Sequence, residues 1–126
     1  MSAARITMRV PATADHLAPL RAAVRTFIAQ HWHAAPRDSD DVALALTEAC
    51  TNVIRHAYPD QEGDMSITCR IDDGHLALQV SDHGAGIHPP SPNPGLRLGL
   101  PIMHHLADAT ISSNGRGTHI SLRFPP

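Results

Sequence analysis

Hydrophobic spacing changes twice along these 126 residues, and that change restricts the possible folds more than any other feature. Ile6, Met8 and Val10 alternate with Thr7 and Arg9, a two-residue period that predicts a short strand ended by Pro11. Leu17, Leu20, Val24 and Ile28 then recur at helical spacing, with Thr13 as the expected N-cap and the helix ending around His33 to Pro36. A second helix is predicted from about Asp38-Ser39, where Asp40 and Asp41 complement the N-terminal dipole. Its apolar stripe is Val42, Leu46, Ala49, Val53 and Ala57, and it stops before Tyr58-Pro59-Asp60. The two-residue period returns at 65–71 and 75–81, and Asp72-Asp73-Gly74 between them is a hairpin signal.

Glycine and proline crowd residues 82–94, which excludes regular structure there. A third helix is expected from about Leu98-Gly99 to Asp108. Strands at 110–113 and 118–124, linked by Asn114-Gly115-Arg116-Gly117, close the chain. The order strand, helix, helix, strand, strand, loop, helix, strand, strand predicts an α+β fold. It would be a two-layer sandwich whose mainly antiparallel, mixed sheet carries its helices on one face. No repeat or linker divides the sequence, so residues 1–126 read as a single domain.

Composition removes several function classes. A net charge of −2 gives no reason to expect direct contact with nucleic acid. All ten fixed positive charges are arginines, so a phosphate-binding lysine of the P-loop kind is excluded. No apolar run follows the N-terminus or reaches eighteen residues, so neither a leader nor a membrane span is expected, and a cytoplasmic protein fits. Cys50 and Cys69 form no metal or redox motif and read as buried, reduced thiols. The histidine pairs His31/His33 and His104/His105 lack the spacing that puts two imidazoles on one helix face.

Four short segments can carry chemistry. Glu48 and Asn52 stand four apart on the second helix, one turn from each other and outside the apolar stripe. A carboxylate can accept a proton there and an amide oxygen can bind Mg²⁺; the plainer reading is a solvated helix edge. Asp82-His83-Gly84-Ala85-Gly86 follows a strand, so its carboxylate can accept a hydrogen bond from an exocyclic amine such as adenine N6. Its two glycines let the backbone approach a flat ligand, although such a string is also an ordinary turn. Gly95-Leu96-Arg97-Leu98-Gly99-Leu100 precedes a helix, where backbone N–H groups make an anion site, or simply a capped loop. Gly115-Arg116-Gly117-Thr118 reads as a hairpin turn whose hydroxyl could face a ligand on the sheet.

In combination these segments are more specific. Glu48-Ala-Cys-Thr-Asn52-Val-Ile-Arg-His56-Ala-Tyr58 resembles the N-box of the GHKL (Bergerat-fold) ATPases, and Asp82-x-Gly84-x-Gly86 resembles their adenine box. Leu98-Gly99-Leu100-Pro-Ile-Met103 is similar to their second glycine box, and Gly117-Thr118 to their closing strand motif. Within that family the chain looks like the RsbW-like anti-sigma-factor serine/threonine-protein kinases, and the resemblance runs from the first strand to the last.

The resemblance implies ATP or ADP and Mg²⁺ as cofactors. Glu48 would be the general base and Asn52 the Mg²⁺ ligand. Asp82 would bind adenine N6 over a floor shaped by Gly84 and Gly86, and Leu98 and Gly99 would hold phosphates at the helix start. His56 belongs to the N-box string, and Thr118 would support the adenine end. Arg97 stands where the family commonly has glycine; it either pairs with phosphate or narrows the pocket. Four prolines stiffen the segment corresponding to the ATP lid. The implied partners are a sigma factor and a STAS-domain antagonist phosphorylated on serine, with homodimerisation and without a membrane. A non-catalytic, partner-docking module is the alternative. The catalytic domain of a sensor histidine kinase fits less well, since Glu48 stands where those kinases usually carry asparagine.

Overall fold

The structure, a computed structural model, describes residues 4–32, 36–58, 63–83, 106–114 and 117–126. Strand β1 (Arg5–Pro11) turns Ile6, Met8 and Val10 toward the core and leaves Arg5, Thr7 and Arg9 exposed. A single 3-10 turn (Ala14–His16) leads into helix α1 (Leu17–His31), which buries Leu20, Val24, Phe27 and Ile28. Thr13 is extended and caps the turn rather than the helix. Its hydroxyl meets the His16 ring at 2.8 Å instead of a backbone N–H, so the expected helix cap is corrected to His16.

Helix α2 (Pro36–His56) begins two residues before the expected Asp38, with proline in the first turn, where its missing N–H costs nothing. The whole predicted stripe is buried, joined by Ala45 and Cys50. Burial pushes both thiols, Cys50 and Cys69, up to about 12, so they stay protonated and unreactive.

Strands β2 (Asp64–Asp72) and β3 (His75–Asp82) form the expected hairpin, in which Asp73 and Gly74 both take positive φ, as a two-residue turn between twisted strands requires. The Trp32 indole N–H donates to the Gly74 carbonyl at 3.0 Å and ties the end of α1 to that turn. Strand β4 (Asp108–Asn114) begins two residues earlier than expected. The ladder with β5 (Gly117–Phe124) continues to Asp108 opposite Arg123, so Asp108 belongs to a strand and not to the end of a third helix. Of that expected helix only Leu106 and Ala107 are described, and the rest lies outside the described residues.

The strands lie in the order β1-β2-β3-β5-β4, and every pairing between them is antiparallel. Helix α2 lies against β3 and β5, while α1 packs on α2 and β2, which gives the two-layer α+β sandwich. Met65, Ile67, Leu76, Leu78, Val80, Ile120 and Leu122 form the sheet side of the core. The opposite face carries the cross-strand row Thr7, Thr68, Gln79, Ser121 and Thr110, whose hydroxyls and amide need no cover. The pairing of β3 with β5 brings the end of one strand beside the start of the other, under the last turns of α2. The candidate site lies at that junction.

Candidate functional site

Among the described residues three polar or charged side chains are buried: Asn52 at 6% exposure, Asp82 at 4% and Thr118 at 6%. They come from α2, β3 and β5, and all three line one cleft together with His56, Val53, Ala57 and Ile120. Buried polar groups are stable where they are paired, and Asp82 and Thr118 pair with each other across β3 and β5.

Asp82 ends β3 with its side chain under α2, and the Thr118 N–H donates to its Oδ1 at 3.3 Å. Gly117 makes that approach possible. Its φ is 146°, and a Cβ at this position would collide with the carbonyl oxygen of Asp82, so only glycine lets β5 run this close. Asn52 sits one residue before Val53, and its amide nitrogen is buried without a hydrogen-bond partner among the described residues. The expectation that the Glu48/Asn52 pair points away from the core therefore fails for Asn52. Helix α2 crosses the polar end of the sheet, and the flank of its stripe is covered there along with the stripe itself.

His56, one turn beyond Asn52, has its imidazole held below the usual range by burial and then by the neighbouring Arg55 charge. Glu48, one turn before Asn52, is partly buried and does not line the cleft. Asn52, His56, Asp82 and Thr118 are thus brought together, and Glu48 continues their line along the helix. Gly84, Gly86, Arg97, Leu98 and Gly99 lie outside the described residues. Sequence reasoning did not give Gly117 a site role, because its turn-like surroundings hid a positive-φ close approach. Nor did it place Val53, Ala57 and Ile120 as cleft walls, since apolar spacing alone cannot tell a wall from a core.

Val53, Ala57 and Ile120 give the cleft apolar walls, the Asp82 carboxylate gives it an acceptor, and the Asn52 amide nitrogen gives it a donor unpaired among the described residues. The chain is thus an α+β sandwich with this cleft between its second helix and the junction of β3 and β5. The model of the histidine kinase-like ATPase domain family matches residues 10–124, and the chain belongs to that family.

Serine-protein kinase RsbW of Bacillus mycoides is 31% identical over 84 residues, which cover 67% of this chain and 52% of that protein. The Bacillus thuringiensis protein of the same name is 32% identical over 80 residues, covering 64% and 49%. The chain therefore spans about half the length of the curated relatives it matches. Among solved structures, the RsbU and RsbW domains of Rv1364c from Mycobacterium tuberculosis share the fold at TM-score 0.74 and 22% identity, over 97% of this chain and 32% of that one. The histidine kinase domain of the Erythrobacter litoralis EL346 blue-light activated histidine kinase superposes at TM-score 0.62 and 21% identity, over 92% of this chain and 61% of that one. Among the described residues no helix is long and apolar enough to cross a membrane.

Proposed function

We propose that this chain binds ATP with Mg²⁺ and acts as an anti-sigma factor and protein serine kinase, phosphorylating a serine of a STAS-type antagonist. The observation that carries the reading is the convergence of the three buried polar residues on one cleft, with the Asn52 amide nitrogen left unpaired among the described residues. Family membership and the RsbW relatives supply the reaction class.

In this reading the Asp82 carboxylate accepts the adenine N6 hydrogen bond, its position fixed by Thr118 and Gly117. Val53, Ala57 and Ile120 enclose the ring, and the neutral His56 stands beside it. Asn52 would hold Mg²⁺ through its amide oxygen, as the N-box resemblance implies, and its buried amide nitrogen, unpaired among the described residues, is a donor left for an oxygen of the ligand. The metal, when bound, neutralises phosphate charge. Gly84 and Gly86 would form the adenine floor, and Leu98, Gly99 and Arg97 the phosphate side.

Glu48, one turn before Asn52 on the same helix, takes the serine proton as the hydroxyl oxygen attacks the γ-phosphorus. The new serine O–P bond forms as the β–γ bridging bond breaks, and ADP leaves with the bridging oxygen. The 126 residues would act as one domain, in the cytoplasm, and a second copy of the chain is a further partner in this reading.

The test is incubation of the protein with radiolabelled ATP-Mg²⁺ and a STAS-domain protein bearing the acceptor serine. Acid-stable label on that serine is the expected result. Acid-labile, alkali-stable label would show histidine chemistry instead. Absence of transfer at saturating ATP would favour the non-catalytic docking module.

A further inference from the structure

The chain contains one tyrosine, Tyr58, two residues beyond the last residue of α2. The helix closes with the Ala57 N–H donating to the Val53 carbonyl at 3.0 Å, and the next side chain turns toward the sheet. Its hydroxyl donates to the Asp64 carbonyl at 2.6 Å and accepts the His83 N–H at 3.1 Å.

These partners have a specific place in the sheet. Strands β2 and β3 pair as far as Met65 opposite Asp82, and one more step in the same register puts Asp64 opposite His83. The Tyr58 hydroxyl bridges the backbone groups of that next pair, so a phenol carried by α2 extends the ladder at the point where β3 leaves the sheet. The ring packs over Gly63, where a Cβ would overlap the ring carbons. The Asp82–His83 peptide is thus held on both sides, by Thr118 on the carboxylate and by Tyr58 on the following N–H. One helix carries both the cleft residues Asn52 and His56 and the group that fixes the strand end facing them.

We propose that Tyr58 is a positioning residue for base recognition: its hydroxyl sets where the Asp82 carboxylate stands relative to α2, and so how well the cleft tells adenine from guanine. This rests on the nucleotide reading above. A carboxylate placed to accept from an exocyclic amine rejects a base that presents a carbonyl at the same position, and that rejection depends on the placement. Phosphate binding does not depend on it.

The test uses the intact chain with Tyr58→Phe, which keeps the ring over Gly63 and removes only the hydroxyl. Affinities for ATP, GTP and inorganic tripolyphosphate are measured with Mg²⁺, at a temperature well below both melting points. The ATP-over-GTP preference should shrink about tenfold, the scale of one lost hydrogen bond, with tripolyphosphate affinity unchanged. A lower melting temperature with an unchanged ATP-over-GTP preference would mean a purely structural role and overturn the proposal. A wild-type protein that binds tripolyphosphate but shows no preference for ATP would overturn the adenine reading beneath it, a result separable from the first.

If Tyr58→Phe does not fold, the sole tyrosine still permits a second measurement. Biosynthetic 3-fluorotyrosine labels position 58 alone, and its single fluorine resonance should move on adding ADP but stay in place on adding tripolyphosphate. A resonance indifferent to ADP would also overturn the proposal.

Discussion

Glu48 and Asn52 stand one turn apart on α2 in different surroundings, and the difference divides their work. Asn52 is buried with its amide nitrogen unpaired among the described residues, an arrangement that costs stability unless a ligand completes it. Asn52→Ala should therefore raise the unfolding free energy of the ligand-free protein by about 1 kcal/mol in urea titration while weakening Mg²⁺-dependent ATP binding. Loss of stability together with intact binding would mean that the amide serves packing. Glu48 lies outside the cleft lining. Glu48→Ala should leave ATP affinity nearly unchanged and reduce phosphotransfer by about 10²–10⁴, the range expected for a general base. Equal transfer rates for mutant and wild type would refute that role. His56 has a folded-state pKa below its ordinary 6.5, so the folded protein holds the neutral ring more readily than the unfolded chain does. Its contribution to stability is present above that value and is lost as pH falls through it toward the folded pKa. Melting temperature should therefore decline as pH falls below about 6.5, and His56→Gln should flatten the slope.

At the scale of elements, α2 serves two surfaces. Its stripe anchors it to the sheet, and truncating the fully buried Leu46 to Ala should cost about 2–5 kcal/mol in urea unfolding, with the cleft residues unchanged in sequence. A cost below about 1 kcal/mol would mean that the stripe is not the anchor. This helix was legible in the sequence because Val42, Leu46, Ala49, Val53 and Ala57 recur at its own period, and the β2–β3 hairpin because Asp73-Gly74 names its turn. The burial of Asn52 was not legible from spacing. A helical period shows which face is apolar, but not that the sheet beneath its C-terminal half ends in polar groups. That ending depends on β3 pairing with β5, two strands separated by more than thirty residues, and local pattern does not encode such a pairing. The early start of β4 escaped for the same reason, since Asp108 is a strand residue only because Arg123 lies opposite. Gly117 was visible as a glycine, while the reason for it, the passing Asp82 carbonyl, lies in another strand.

For the whole molecule, an antiparallel sheet with helices on one face provides a rigid floor, and the site occupies the only junction among the described residues where buried polar groups from three elements meet. The rest of the described core is apolar, and its two thiols are kept inert by burial. The central claim is that this junction is an adenine-nucleotide site built around Asp82. It is tested most directly by calorimetric titration of ATP, with and without Mg²⁺, into the wild-type chain and into Asp82→Ala. Saturable binding that Mg²⁺ strengthens and that falls about 100-fold or more in Asp82→Ala is the predicted result, since the proposed reading has the buried carboxylate recognise the base. No heat from the wild type, or equal affinity in both proteins, would contradict the claim.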